Sequence, residues 1–251
     1  MSEKSDKNKP KKLRVDQLLL VRGLVASREK AQRLIMANQV RVEGQPVDKS
    51  GRLVSVDAEL EVLEPEKYVG RGGLKLEGAL EKFGVEVAGK RCLDVGSSTG
   101  GFTDCLLQAG AGHVFAVDVG QGQMDWKLRQ HPQVTLREGV NARYLAEGDF
   151  EKDMELLVAD VSFISLTLVL PPAFQFLVPA GDAVVLIKPQ FELERRLVGR
   201  GGVVRDDTLR KQAVEKIQNF ARVQGWKWRG LMESPISGMK GNREFLAHLS
   251  K

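Results

Sequence analysis

Cysteine is scarce in this chain, with two residues in 251, Cys92 and Cys105. A disulfide-built secreted scaffold is therefore excluded. Both thiols read as small core hydrophobes in a reducing cytoplasm. Histidine is nearly as scarce, with three residues, which argues against a histidine-built metal site. No apolar segment directly follows the polar first twelve residues, so no signal peptide is read there. No internal repeat is present. One uncharged stretch, 161–181, has the length of a membrane span, but it carries Pro171, Pro172 and Pro179. A paired proline in its middle is expected to break a helix, so the stretch reads as strand, loop and buried helix. What remains is 42% hydrophobic and 28% charged, an ordinary globular composition.

The charge is unevenly placed. The whole chain carries +5, while residues 1–52 alone carry +7 and the rest −2. A basic N-terminal region points to a polyanionic partner. Residues 1–12 read as a disordered basic arm, 13–63 as a small domain, 64–72 as an interdomain linker and 73–251 as a larger domain. In the small domain a helix is expected from Asp16 to Arg22, stopped at Gly23. A second is expected from Arg28 to Ala37, capped by Ser27 and buried through Ala31, Leu34 and Ile35. A hairpin follows, turning at Glu43-Gly44, and then a last strand from Glu59 to Leu63. Arg14, Arg22, Arg28, Lys30, Arg33 and Arg41 are the candidate RNA-binding residues, set to meet phosphates and the shallow groove of A-form RNA. Over residues 14–54 this segment resembles the small RNA-binding module of a small-subunit ribosomal protein and of some pseudouridine synthases.

The larger part alternates apolar strands with helices, as a mostly parallel α/β sheet does. Strands are expected at Arg91–Val95, His113–Val119, Val134–Leu136, Leu156–Ala159, Ala183–Ile187, Trp226–Met232 and Glu244–Leu249. Helices are expected at Leu74–Phe83 and Thr208–Gln224. The first strand enters Gly96-Ser-Ser-Thr-Gly-Gly-Phe102, a turn that lets backbone approach a ligand. Asp118 ends the second strand, placed to accept ribose hydroxyls. The glycine spacing does not fit a dinucleotide site. Asp94, just before the turn, would repel a phosphate and attract an ammonium. S-adenosylmethionine, with an amino-acid end and no phosphate, is therefore the expected cofactor. Its candidate contacts are Gly96, Ser98, Gly100, Gly101, Asp118 and Asn141.

The motifs YVGRGGLKL, LDVGSSTGGFTD, VADVSFISL, KPQFE, GRGGVVRD and SPISGMKGNREFL together carry a closer resemblance. Residues 74–249 resemble the heat-shock-type (FtsJ-like) ribose 2′-O-methyltransferases, and the whole chain is similar to the TlyA family. That resemblance implies a Rossmann-like class I methyltransferase with a seven-stranded mostly parallel sheet, preceded by a small α+β RNA-binding domain. It implies methylation of cytidine 2′-hydroxyls in ribosomal RNA of the large subunit, and leaves open whether the small subunit is a substrate as well. The partners implied are ribosomal RNA and ribosomal subunits in the cytoplasm, without a metal and without stable membrane association. It also implies a Lys-Asp-Lys-Glu catalytic set, which falls on Lys75, Asp160, Lys188 and Glu244. A ribose hydroxyl is a weak acid, so a base must take its proton during attack. Lys188 is assigned that role, Lys75 assists it, and the two acids orient the lysines. Residues 199–206 read as a mobile loop over the RNA or as a plain glycine-rich turn. Two other functions stay open: a non-catalytic RNA-binding assembly factor, and a membrane-active cytolysin.

Overall fold

A computed structural model describes residues 11–63 and 66–251. The expected basic arm therefore lies, for residues 1–10, outside the described residues, as do residues 64 and 65 of the expected linker. The chain divides into two compact units, Met1–Pro65 and Glu66–Lys251.

In the first unit, β1 (Lys12–Arg14) leads directly into α1 (Val15–Val21), and α2 (Arg28–Met36) follows with Ser27 accepting from the Lys30 N–H. β2 (Val40–Val42), β3 (Gln45–Pro46), β4 (Leu53–Ser55) and β5 (Leu60–Val62) complete it. β1 pairs antiparallel with β4, and β2 lies between β3 and β5. Val15, Leu18, Leu19, Ala31, Ile35, Val40 and Val54 form its buried core, with Leu34 half-buried against it. The sequence reading missed β1 and β4. Three residues are too few for alternation to show, and only the pairing between the two segments makes them strands.

The second unit begins with the segment expected to be a linker. Tyr68 is buried there, the Val69 N–H donates to Asp104 at 2.9 Å, and Gln108 donates to the Lys67 carbonyl at 2.9 Å. A Cβ on Gly73 would meet the Tyr68 ring at 2.3 Å, so glycine is what lets this segment lie flat. The elements that follow are α3 (Gly72–Phe83), β6 (Arg91–Val95), α4 (Gly101–Gln108), β7 (His113–Asp118), α5 (Trp126–Arg129), β8 (Val134–Glu138), β9 (Met154–Ala159) and α6 (Leu166–Phe174). After them come β10 (Leu177–Ile187), α7 (Pro189–Glu192), α8 (Asp207–Val223), β11 (Lys227–Glu233) and β12 (Phe245–Ser250). The seven strands run in the order β11-β12-β10-β9-β6-β7-β8, with β12 antiparallel to both neighbours. The seven-stranded mostly parallel sheet is thus as expected.

Helices cover both faces. Leu76, Ala79 and Leu80 of α3 and Cys105 and Leu106 of α4 pack on one face; α6 and α8 pack on the other through Leu170, Val214, Ile217 and Ala221. Central strands are buried on both sides, which is why they read as apolar runs. Burial pushes both the Cys92 and the Cys105 thiols up to about 12, so they are inert core groups.

Two local expectations are corrected. Pro171 and Pro172 lie inside α6 and do not break it. Each proline forgoes its own N–H bond to the preceding turn. The Ser165 cap and burial of Leu166, Val169, Leu170, Ala173 and Phe174 hold the helix. β10 starts at Leu177, six residues earlier than the apolar run suggests, because its register shifts between Leu177 and Asp182. Ala180 has φ +61 within that irregular stretch.

Candidate active site

Ligands in open α/β sheets bind beyond the carboxyl ends of the strands, and the candidate residues of the second unit gather there. After β6 the chain turns sharply at Gly96, whose φ is +86 and whose N–H donates to the Val117 carbonyl at 2.8 Å. A Cβ on Gly96 would sit 2.6 Å from the Asp160 carbonyl oxygen, so the turn tolerates only glycine. Asp118 holds the turn from the next strand. Its two carboxylate oxygens accept from the Ser98 and Gly120 N–H groups, each at 2.7 Å.

Two adjoining cavities open at this point. The larger, about 320 Å³, is lined by Gly96, Ser98, Asp118, Gln123, Val140, Asn141 and the loop Asp160–Ile164. The smaller, about 160 Å³, lies among Gly72, Gly96–Thr99, Gly101, Phe102 and Asp160. Gly96, Ser98 and Asp160 line both. An acid facing apolar walls in the larger cavity suits a nucleoside. The smaller is polar, and the buried Ser97 hydroxyl beside it has no hydrogen-bond partner among the described residues. A ligand with a ribose at one end and polar amino-acid groups at the other fits this pair of cavities.

Gly96, Ser98, Gly101, Asp118 and Asn141 therefore lie in the cavity walls. Gly100 does not. It has φ +98, and a Cβ there would strike the Leu128 side chain at 2.3 Å, so its glycine serves packing against α5. Asn141 lines the larger cavity while its side chain also caps the next turn, accepting from the Arg143 N–H at 3.1 Å. Asp94 departs from the expected ammonium contact. It is fully buried beneath the turn, accepts from the Thr103 hydroxyl at 2.6 Å and lines neither cavity. Burial, aided by the nearby Asp160 and Asp118 charges, raises its carboxyl to about 7.

Two lysine–carboxylate pairs stand at the strand ends; Asp160 lines both cavities, whereas Lys75, Lys188 and Glu244 line neither. Lys188 follows β10 and approaches Asp160 at 2.6 Å and the Ser162 hydroxyl at 2.8 Å. Lys75 on α3 donates to Glu244 at 2.6 Å, and both are buried. The pairings Val185–Ala159 and Ile187–Phe245 bring residues 160, 188 and 244 to one edge of three adjacent strands. One contact links the pairs further: the Gln190 side chain donates to Glu244 at 3.4 Å.

Some lining residues were not singled out from sequence. Gln123 and Ser162 are among them, and so is Phe163, which is 89% exposed at φ +64 and lies 5.0 Å from the Phe191 ring. Sequence carried no signal for Phe163, because its exposure is set by the tertiary fold. Groups of side chains able to hold a metal do not occur among the described residues.

The basic residues of the first unit divide into two sets. Arg14 and Arg28 both donate to the buried Asp16, Arg14 at 3.0 and 2.9 Å and Arg28 at 2.9 Å, and Gln32 joins them at 3.2 Å. The Arg14 guanidinium first, and then Arg28 and Gln32, hold the Asp16 carboxyl well below the usual carboxylate range. Lys30 and Arg33 are exposed on α2. Arg22 is exposed and donates to the Ala58 and Val56 carbonyls, tying α1 to the loop before β5. Arg41 donates to the Gly44 carbonyl at 3.2 Å within the hairpin.

A parallel sheet with a glycine turn, a strand-end acid and a bipartite cavity defines an S-adenosylmethionine-dependent methyltransferase. Here it follows a small basic unit. The FtsJ-like methyltransferase family matches residues 68–251, and the S4 domain matches residues 13–60. The chain is 49% identical over 241 residues to YqxC of Bacillus subtilis, covering 95% of this chain and 86% of that one. It is 45% identical to the 16S/23S rRNA (cytidine-2′-O)-methyltransferase TlyA of Mycobacterium tuberculosis, covering 95% and 90%. A solved structure from Streptococcus thermophilus superposes with a TM-score of 0.73 at 45% identity, covering 97% of this chain and 90% of that one. The chain belongs to the TlyA family of FtsJ-like methyltransferases.

Proposed function

We propose that this enzyme methylates the 2′-hydroxyl of a cytidine in ribosomal RNA, in the large subunit first and the small subunit as a second substrate, within the cytoplasm. The observation that carries the reading is the pair of lysine–carboxylate contacts at one strand edge, where Asp160 also lines both cavities. The relatives named for cytidine 2′-O-methylation, including TlyA of Campylobacter jejuni at 35% identity, support the substrate.

S-adenosylmethionine, when bound, supplies a methyl group on a sulfonium. Asp118 accepts the hydroxyls of its ribose, and Gly96, Ser98 and Gly101 supply close backbone and polar contacts to the rest. Asn141 stands by the adenine end. Lys188 Nζ takes the proton from the attacking 2′-hydroxyl, while Asp160 and Ser162 fix where that amine points. Lys75 holds the hydroxyl, and Glu244 holds Lys75. Holding nucleophile and methyl in line supplies the remaining rate. The exposed ring of Phe163 offers a face on which an unstacked base can rest. Arg14, Arg28, Lys30 and Arg33 meet RNA phosphates from the first unit.

The test uses purified protein, labelled S-adenosylmethionine and unmethylated large and small ribosomal subunits. Label is expected at a cytidine ribose. Lys188→Arg should lose at least about a hundredfold in single-turnover rate, because a guanidinium does not give up its proton, while cofactor affinity stays within about twofold. Normal cofactor binding with no label in either subunit would overturn the substrate. Wild-type rates in Lys188→Arg would overturn the base.

A further inference from the structure

The loops next to the catalytic edge carry cations that the transfer chemistry does not use. Residues 193–206 connect α7 to α8, and residues 234–244 connect β11 to β12. β12 pairs Phe245 with both Ile187 and Glu233, so both loops leave the sheet at the edge that carries Lys188 and Glu244.

The two loops are stitched together. Asn242, only 3% exposed, accepts from the Val204 N–H at 3.0 Å and donates to the Gly202 carbonyl at 2.8 Å. Lys240 donates to the Gly201 carbonyl at 3.1 Å, and Arg210 to the Val204 carbonyl at 3.0 Å. The stretch expected to be a mobile loop thus has its 201–204 backbone tied at four points.

Arg195, Arg200 and Arg205 project from this rim. All three are exposed, and none of their guanidinium groups has an ion pair or hydrogen bond among the described residues. The nearby acids are already engaged. Glu194 pairs with Arg196 at 2.7 Å, Asp206 caps α8 at the Thr208 N–H, and Asp207 pairs with Arg210 and Arg243. Arg200 and Arg205 flank the tied 201–204 backbone and Arg195 opens a short turn closed by the Val198 N–H on its carbonyl, so three unpaired guanidinium forks stand on one rim, as phosphate recognition demands. The forks bind phosphate oxygens bidentately, and the fixed backbone lowers the ordering cost of binding.

We infer that the stitched loops form a phosphate-binding rim for the RNA strand at the catalytic edge, with Arg195, Arg200 and Arg205 as its contacts. This rests on the RNA substrate proposed above. The rim belongs to the catalytic unit itself and acts in addition to the cations of the first unit.

The test compares the full chain with its R195A/R200A/R205A variant, each saturated with S-adenosylmethionine, on unmethylated large subunits across a salt series. Losing three phosphate contacts should reduce the slope of log affinity against log salt by about two to three. The KM for RNA should rise about tenfold or more near physiological salt, with kcat and cofactor affinity unchanged. The corresponding triple lysine variant should keep most of the slope, since it keeps the charge. Lys211→Ala, on the exposed side of α8, should keep all of it. Tryptophan fluorescence verifies folding of the catalytic unit. If the wild type methylates RNA and the alanine variant shows the same slope and KM, the rim is wrong and the substrate reading stands. If the wild type neither binds nor methylates RNA, both are wrong.

Discussion

The Lys75–Glu244 pair separates stability from catalysis in a way that can be measured. The contact is 2.6 Å, and the side chains are 10% and 2% exposed. Removing one charge leaves the other stranded away from water. Breaking a buried pair in this way costs about 3–5 kcal/mol, whereas replacing both charges by neutral groups of similar volume is about neutral or stabilising. Lys75→Met and Glu244→Gln are suitable replacements because they add no bulk. Gly238 lies hard against the Glu244 carboxylate, where a Cβ would come within 2.0 Å of Oε1, so there is no room for more.

For a unit spanning Glu66–Lys251, each kcal/mol moves Tm by about 2–4 °C. Each single variant should therefore melt roughly 10 °C below wild type, and the double variant within a few degrees of it. Trp126, Trp226 and Trp228 all lie in this unit, so tryptophan fluorescence reports its unfolding alone. Methyl transfer should fail about a hundredfold or more in all three variants, assayed in single turnover well below their melting temperatures. Either a single variant as stable as wild type or a double variant with wild-type turnover would refute the reasoning.

Three further outcomes are expected. Asp118→Asn places an amide against one of two backbone N–H donors. Cofactor affinity should fall about tenfold or more by calorimetry, and undiminished binding would count against Asp118 as the ribose acceptor. Asp94 has its carboxyl raised from 3.8 to about 7, chiefly by burial, so the folded state holds the proton more tightly than the unfolded chain. Its stability contribution is full below about pH 4 and is lost as pH rises through 7, by about 4 kcal/mol at roughly 1.4 kcal/mol per pH unit. Asp94→Asn keeps an acceptor for Thr103 without the charge. The variant should therefore overtake wild type in urea unfolding at pH 8 but not at pH 4, and parallel curves at both would refute the assignment. Asp16 shows the opposite sign: its lowered carboxyl contributes stability above about pH 4 that is lost on acidification. Because Arg14 and Arg28 are about 40% exposed, screening limits Asp16→Asn to about 2 kcal/mol. Faster hydrogen exchange over residues 12–62 and weaker RNA binding should follow together, and a change in neither would show that the arginines need no anchor.

Local sequence was enough to locate most strands of the catalytic sheet. Arg91–Val95 has the same bounds in both readings, because Cys92, Leu93 and Val95 run directly into the glycine of the turn. α8, expected at Thr208–Gln224 and found at Asp207–Val223, shifts by one residue at each end; it was legible because Val214, Ile217 and Ala221 repeat at helical spacing on one buried face. Lys75, Asp160, Lys188 and Glu244 were legible as a set only through the resemblance to the FtsJ-like methyltransferases, since no local pattern links four residues so far apart in the chain.

Other features depended on partners distant in the chain. β1 and β4 exist only because they pair with each other, and α6 keeps its two prolines because five of its side chains are buried. Gly100 was indistinguishable from its cofactor-lining neighbours until Leu128 was seen beside it. Arg22 looked like any exposed cation until the Val56 and Ala58 carbonyls came within reach. The fate of Asp94 was decided by Thr103 and by its depth beneath the turn. Periodicity and turn chemistry act over a few residues, and so the sequence by itself determined which segments are helix or strand and which chemical groups stand at their ends. Which of those groups face a cavity, which are spent on packing and which remain unpaired depends on side chains tens to hundreds of residues away, and only the tertiary structure decided that.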